Sequence, residues 1–203
     1  MRDSKKTSFD QIHKGGTDKE ILDNLLKETF AYFLKHTDQV TGLVADKSQP
    51  GSPCSIAVAG MGLTAYIAGI ENRLIPKHDA ILNILKMLRF FYYSPQGKET
   101  DATGYKGFYY HFLDMKTGRR VWNSEISTID TALFMAGVMS VVSYFSADIP
   151  EENEIRQLGN YLYLRVDWQW ALNKRTTITH GWTPESGFIR YRWDKFYNEA
   201  IIL

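Results

Sequence analysis

The chain has little cysteine and no strong excess of charge. Cys54 is the single cysteine among 203 residues, so no internal disulfide can form, and no cysteine–histidine cluster has the spacing of a zinc site. The 24 Lys and Arg residues nearly balance the 23 Asp and Glu residues, which leaves a formal net charge of +1. A surface that attracts nucleic acid or an acidic membrane by its overall charge is therefore not expected.

Long hydrophobic runs are also missing. The two longest apolar stretches, Ile56–Ile70 and Thr131–Phe145, are shorter than the roughly 20 residues that a membrane-spanning helix needs. Residues 1–16 are polar, contain no apolar run typical of a signal peptide and are predicted to form a mobile lead-in. The composition, with 44% hydrophobic and 23% charged residues, is that of an ordinary globular domain.

Aromatic residues, by contrast, are abundant at 14% of the chain. Residues 104–133 combine six aromatic rings with several acidic side chains around a turn and then enter an apolar helix. Aromatic rings stack on the C–H faces of sugars, whereas carboxylates bind hydroxyls or transfer protons. Such a density of both on a connecting segment favours a carbohydrate site over a purely structural core.

Apolar residues recur at helical spacing in five segments, which predicts helices over residues 17–35, 52–72, 76–93, 127–145 and 150–166. The remaining patterns predict a short helical turn at 168–172, a β-hairpin formed by 107–115 and 119–122, and two extended pieces within 177–193. We find no βαβ alternation, phosphate-binding glycine loop or repeat. The predicted fold class is all-α, with the polar and aromatic loops on one face.

The last residues have the pattern of an apolar helix that starts near residue 198 and carries no terminating signal. From this pattern we expect the chain to be truncated, with about six helices present and further helices following in the natural protein.

Eight motifs occur in an order that we associate with one family. They are GLVADKS (42–48), SIAVAGMGLTAYIAGIE (55–71), LRFFYYSPQG (88–97), GYKGFYYHFLDMKTGRR (104–120), EISTIDTALFMAG (125–137), VDWQWA (166–171), GWTPESGF (181–188) and YNEAIIL (197–203). Through these motifs, from about residue 20 onwards, the chain resembles the bacterial glycoamylase-like family. That group is similar to endo-β-1,2-glucanases and to a domain of cyclic β-1,2-glucan synthases.

The resemblance implies an (α/α)6 toroid with a cleft at one end, of which residues 17–203 would form the N-terminal half. It also implies glycoside hydrolysis of a β-glucan, with β-1,2-glucan as the first candidate, by a pair of carboxylates without metal or other cofactor. The expected partner is an oligo- or polysaccharide, not nucleic acid. Family members usually carry an export signal or lipid anchor, which implies a periplasmic or secreted location. The oligomeric state stays open.

Glycoside hydrolysis needs one carboxyl group that protonates the leaving oxygen and a second that activates water or attacks the sugar. The candidates for these two roles are Glu125, Asp130, Glu185 and Glu199. Three of them also have an ordinary alternative, because Asp130 and Glu199 stand where acids stabilise a helix N-terminus and Glu185 stands in a turn framed by proline and glycine. The order of the sequence sets no distance between them, so the stereochemistry of the reaction stays open.

Further residues in the loops are candidates for binding the sugar. They are Asp46, Asp101, Tyr105, Lys106, Tyr109, His111, Trp122, Trp182 and Arg190. For the rings the alternative is a place in the core, and for the charged residues it is a surface salt bridge. His111 lies between two aromatic residues in a predicted strand, where a histidine is more often structural than catalytic.

Two other functions are compatible with the sequence. The first is a glycan-binding module of the same fold, whose rings and carboxylates hold a sugar chain without cleaving it. The second is a helical interaction protein, but the missing repeat period argues against a solenoid of paired helices.

Overall fold

The computed structural model describes residues 17–194 and 199–203. The predicted lead-in at 1–16 and the first two residues of the last motif, Tyr197 and Asn198, lie outside this range. Five long helices lie within it: α1 (Asp18–Lys35), α2 (Ile56–Glu71), α3 (Lys77–Tyr93), α4 (Thr128–Tyr144) and α5 (Pro150–Arg165). They are followed by a single-turn helix, α6 (Trp168–Ala171), and by a 3-10 turn at Glu199–Ile202 where the sequence predicted a sixth α-helix.

The starts of the helices follow from side-chain capping. Thr17 and Glu20 form a reciprocal capping box at α1, in which the Thr17 hydroxyl accepts from the Glu20 amide and the Glu20 carboxylate accepts from the Thr17 amide. Ser55 and Ser127 cap α2 and α4 in the same general way, each accepting the amide three residues on. These caps satisfy amides that the first turn of a helix leaves without an intrahelical partner.

A small antiparallel β-structure joins the helices, so the all-α prediction holds only in part. The strands are β1 (Cys54–Ser55), β2 (Gly104–Tyr105), β3 (Phe108–Tyr110), β4 (Phe112–Leu113), β5 (Ile126–Ser127), β6 (Gly181–Thr183) and β7 (Gly187–Phe188). β1 pairs with β4, and the other five form one sheet in the order β2-β3-β5-β6-β7. The pairing of β1 explains why the second helix begins at Ile56, later than predicted, since Cys54 and Ser55 are needed for the ladder.

The predicted β-hairpin at 107–122 is present only around its turn. Leu113 and Arg120 form one antiparallel bridge across that turn, and the Asp114 amide donates to the carbonyl oxygen of Arg119 at 2.8 Å. β3 instead pairs with β2 on one side and with β5 on the other. The second predicted pair of extended pieces is confirmed as the β6–β7 hairpin.

The core is shared by the five long helices and the sheet, and within it α2 and α4 have the most extensive contact of any pair of described helices. Gly60 of α2 faces Gly137 of α4, and a Cβ atom added at Gly60 would lie 2.5 Å from the carbonyl oxygen of Leu133. Two glycines at the crossing therefore allow the two backbones to touch. Among the helices of the described ranges, none is long and apolar enough to cross a membrane.

Candidate active site

Three candidate residues meet beside the paired strands β3 and β5, close to the start of α4. His111 directly follows β3, Glu125 directly precedes β5, and Asp130 lies in the first turn of α4. Because β3 and β5 are paired, the main chains of His111 and Glu125 are neighbours, and the His111 amide donates to the carbonyl oxygen of Glu125 at 2.8 Å. His111 thus lies beside Glu125, which is 14 positions further along the chain, and close to Asp130, which is 19 positions further along.

The imidazole of His111 contacts both carboxylates. Its Nδ1 lies 3.1 Å from Glu125 Oε1, and its Nε2 lies 3.7 Å from Asp130 Oδ2. The ring stacks on Phe112 with the two ring centroids 4.0 Å apart, and the hydroxyl of Ser127 donates a short hydrogen bond to Asp130 Oδ2. The side chains of His111 and Glu125 are each 32% exposed, so both are accessible to a ligand.

The protonation of this cluster follows from its charges. Burial disfavours the imidazolium, but the hydrogen bond to Glu125 and the charges of Asp130, Glu125 and Asp46 outweigh it and raise the pKa of His111 above 6.5. Burial would raise the pKa of Glu125, but the hydrogen bond with His111, its own backbone amide and the charges of His111 and Arg120 lower it below 4.5. Glu125 is therefore held as a carboxylate beside a histidine that tends to keep its proton.

These two shifts predict a pH window for stability. Because the pKa of His111 is raised, its contribution is complete below the ordinary value of 6.5 and is lost as the pH rises through the raised value. Because the pKa of Glu125 is lowered, its contribution is complete above the ordinary value of 4.5 and is lost as the pH falls through the lowered value. We expect the free energy of unfolding of the wild type to exceed that of His111→Gln most between these two values.

Urea unfolding of both proteins across this range measures that difference. A gap that stays constant with pH would contradict the charge pairing of His111.

A groove of about 780 Å³ includes Trp122 in its lining but none of the three residues of the cluster. Its lining combines basic and acidic side chains, such as Lys116 and Asp114, with apolar ones such as Met115 and Trp122. Trp122 is 71% exposed and packs edge-on against Phe112, the ring on which His111 stacks. Asp46 is half-buried, and its two neighbours in the sequence, Ala45 and Lys47, line the groove. The negative charge of Asp46 helps to raise the pKa of His111. The groove is therefore linked to the charged cluster through the rings of Trp122 and Phe112.

Glu185 forms an ion pair with Arg120 and not with His111, although its hairpin is paired with β5. The Arg120 guanidinium donates to Glu185 Oε1 at 2.6 Å and to Oε2 at 3.1 Å. This hydrogen-bonded ion pair lowers the pKa of Glu185 below its usual value. A carboxyl group held ionised in this way is poorly suited to donate a proton.

The structure places one predicted sugar platform in the core. Tyr109 is fully buried, its ring packs on Phe91 and Phe134, and Arg165 donates a short hydrogen bond to its hydroxyl oxygen. Burial raises the pKa of the Tyr109 hydroxyl to about 12. The expectation that Tyr109 binds sugar is therefore not supported, because no face of its ring reaches solvent in this structure.

Tyr105 and Trp182 remain half-buried and accessible. Their rings lie 5.0 Å apart, and both pack edge-on against Trp170. Trp182 pairs with Ile126 in the sheet, and Ile126 directly follows Glu125 in the sequence. Tyr105 of β2 and Trp182 of β6 therefore belong to the same sheet as β5, the strand that directly follows Glu125.

The remaining candidates lie outside the cluster. Lys106 pairs with Asp167 at 3.2 Å, and Asp101 pairs with Arg119 at 3.0 Å in an exposed salt bridge. Arg190 is exposed and contacts the hydroxyl of Tyr191. Glu199 is exposed on the 3-10 turn, which packs against α4. These contacts agree with the ordinary alternative of surface pairing for Lys106 and Asp101.

Arg120 and Ser127 act on the candidate carboxylates but were not predicted to do so. Ser127 was expected only as a helix cap, yet its hydroxyl also binds Asp130. Arg120 follows an exposed arginine in the sequence, and no pattern distinguishes the two. Among the described residues, no group of His, Cys, Asp and Glu has an arrangement that could hold a metal ion.

Comparison with known proteins supports the resemblance drawn from the motifs. No family model matches the chain. The chain is 25% identical over 195 residues to an exo β-1,2-glucooligosaccharide sophorohydrolase of Parabacteroides distasonis. It is also similar to the crystal structure of a glucoamylase-like protein from Bacteroides uniformis, with 26% identity and a TM-score of 0.82. The fold of a β-1,2-glucanase from Parabacteroides distasonis matches with a TM-score of 0.82 at 21% identity.

The match extends over most of this chain but over only part of each of these proteins. The alignment covers 92% of the chain and 26% of the sophorohydrolase. In the two structures it covers 93% of the chain, and 46% of the glucoamylase-like protein and 27% of the glucanase. The relatives and structural neighbours of this chain are thus glucoamylase-like proteins and β-1,2-glucanases, as its motifs indicated.

Proposed function

We propose that the chain is part of a glycoside hydrolase that cleaves a β-linked glucan, with β-1,2-glucan as the first candidate substrate. The observation that carries this proposal is the contact of one histidine, His111, with two carboxylates, Glu125 and Asp130, in a cluster that Phe112 connects to the exposed ring of Trp122. Carboxylates beside accessible rings suit the cleavage of a sugar chain. The sophorohydrolase and glucanase among the similar proteins support the same class of substrate.

Glu125 is the group that acts in its ionised form in this proposal. The contact with His111 stabilises the ionised form of Glu125. The accessible side of the Glu125 carboxylate is free to activate a water molecule. The proton donor for the leaving oxygen is then a second carboxyl group. Asp130 shares His111 with Glu125, and Glu199 is exposed and has no ion pair among the described residues. Glu185 is left out because Arg120 already holds it.

For the domain we propose the N-terminal part of an (α/α)6 toroid over residues 17–203. Successive α-helices joined by long loops, with the β-structure formed by those loops, support this architecture. The TM-scores with the glucoamylase-like and glucanase structures support it as well.

The experiment that tests the function is the release of reducing ends from a panel of α- and β-linked glucans. Because the chain spans less than half of its relatives, we expect turnover of β-1,2-glucan by the longer protein of which it is proposed to be part. Asp130→Asn and Glu199→Gln are assayed separately in that protein to identify the proton donor. The donor's variant is expected to lose the alkaline limb of the pH profile for kcat/KM. Absence of turnover on every glucan would overturn the proposal.

A glycan-binding module without turnover is the second candidate. The exposed ring of Trp122 and the half-buried rings of Tyr105 and Trp182 favour it, since binding needs these surfaces but no proton transfer. Calorimetric titration with β-1,2-gluco-oligosaccharides separates the two functions. Binding without any release of reducing ends would favour the module.

Under either function Trp122 is expected to bind the sugar. We expect Trp122→Ala to weaken oligosaccharide binding about two- to tenfold, because stacking of one ring contributes roughly 0.5–1.5 kcal/mol. The stability should change little, since the ring is 71% exposed. Tyr93→Ala is the matched control, because Tyr93 is an aromatic residue that is 78% exposed on α3. Equal affinity of Trp122→Ala and the wild type would remove Trp122 from the binding surface.

A further inference from the structure

The buried side chain of Arg120 connects the segments that carry Glu125 and Glu185. It is 2% exposed, which is unusual for an arginine. Its Nη1 and Nη2 donate to the two oxygens of Glu185 in the forked geometry that only arginine can form. Its Nε donates to the carbonyl oxygen of Ser124 at 2.5 Å, and Nη2 donates to that of Asn123 at 2.8 Å. One guanidinium therefore binds the main chain just before Glu125 and the side chain of Glu185.

The sheet fixes the position of this guanidinium. It lies over the ring of Tyr110 in β3, 4.7 Å from the ring centroid. Tyr110 is fully buried, so the ring is a rigid base that cannot move away. A cation held over an aromatic face inside the protein is stabilised by the ring as well as by its hydrogen bonds.

The main chain that Arg120 binds has an uncommon conformation. Trp122 and Asn123 have φ angles of 57° and 52°, so two consecutive residues that are not glycine adopt the left-handed region. Such residues keep this conformation only when the surrounding contacts hold them there. The hydrogen bonds that Arg120 donates to the carbonyl oxygens of Asn123 and Ser124, the two residues after Trp122, are such contacts.

We propose that Arg120 is a positioning residue, which holds loop 121–124 so that Glu125 and Trp122 face the substrate, and that Glu185 is its counter-ion. The part concerning the substrate rests on the proposed function. The lowered pKa of Glu185 agrees with a permanently charged counter-ion. Arg120 itself touches no substrate in this proposal and acts through the loop that it holds.

Three variants and one control test the proposal. Arg120→Lys keeps the charge but loses the fork, Glu185→Gln keeps the shape but loses the counter-charge, and the third variant combines both. Arg119→Lys is the matched control, because Arg119 is the neighbouring arginine but is 64% exposed and pairs at the surface. We expect kcat on β-1,2-glucan to fall about 10²-fold in Arg120→Lys, since a small displacement of a reacting group has such an effect.

The double variant and the pH profile distinguish a counter-ion role of Glu185 from a direct catalytic role. If Glu185 acts only through Arg120, the double variant loses no more activity than Arg120→Lys, and Glu185→Gln keeps both limbs of the pH profile of kcat/KM. Losses that multiply in the double variant would overturn the proposal. The disappearance of one limb in Glu185→Gln would also overturn it, because that result would make Glu185 a proton donor.

Hydrogen exchange tests the loop without any need for turnover. The Val121 amide donates to Phe112 O and the Ser124 amide to Val121 O, both at 3.1 Å. We expect both amides to exchange about tenfold faster in Arg120→Lys, and amides of α4 to be unchanged. Unchanged exchange in the loop would overturn the proposal. Faster exchange in a protein that neither binds nor cleaves glucan would support the role of Arg120 in the loop and reject the proposed function.

Discussion

Replacing Glu125 by glutamine is expected to lower kcat on β-1,2-glucan by about 10²–10⁴-fold, the contribution typical of a general acid or base. Glutamine has the shape of glutamate and can still contact His111, whose Nδ1 lies 3.1 Å from the carboxylate. It cannot accept a proton from water, however, so the chemical step should fail while the fold is kept. Initial rates of reducing-end release, with circular dichroism as a check on the fold, measure the effect.

Glu151→Gln is the control for this substitution. Glu151 is an exposed glutamate in the first turn of α5, away from the residues around His111. It should leave kcat unchanged, which shows that removal of one negative charge alone has no effect. Rates close to those of the wild type in Glu125→Gln would exclude Glu125 from the reaction.

Replacing Gly137 by alanine is expected to give the largest loss of stability, a decrease of about 2 kcal/mol in the free energy of unfolding. A Cβ atom at Gly137 would lie 2.8 Å from the Cα atom of Gly60 on the facing helix. The obstacle is backbone, which cannot rotate away, so α2 and α4 must separate and lose packing along their length. The better helix propensity of alanine offsets only about 1 kcal/mol of this strain.

Urea unfolding measures the change, and Ser143→Ala is the control. Ser143 lies on the same helix but is exposed, so its replacement should change the free energy of unfolding by a few tenths of a kcal/mol. Equal stability of Gly137→Ala and the wild type would show that contact between the two backbones does not limit the packing of these helices.

The five long helices could be predicted because helical periodicity and capping are local properties. Thr17 caps its own helix through Glu20, three residues away, and both residues are visible in the sequence. The boundary at Ile56 could not be predicted in the same way. It depends on the pairing of β1 with β4, nearly 60 residues further on.

The candidate site shows the same division. Glu125, Asp130 and His111 were recognised by residue type and motif, but Asp130 and His111 each had an ordinary alternative that the sequence could not remove. The pairing of β3 with β5 brings His111 and Glu125 together, and it also directs Tyr109 into the core. Tyr109 and Tyr110 are both fully buried, whereas His111, one residue beyond the end of β3, is partly exposed, and only the packing around the sheet decides this difference.

The sequence by itself determined the helices, their caps, the aromatic and acidic loops and the resemblance to glucan-active proteins. These features depend on neighbouring residues or on motifs in order along the chain. The tertiary structure decided that His111 contacts two carboxylates and that Arg120, not the adjacent Arg119, has a buried side chain and pairs with Glu185. The physical reason is that desolvation and charge pairing depend on distance in space, and residues 120 and 185 become neighbours only when the sheet has formed.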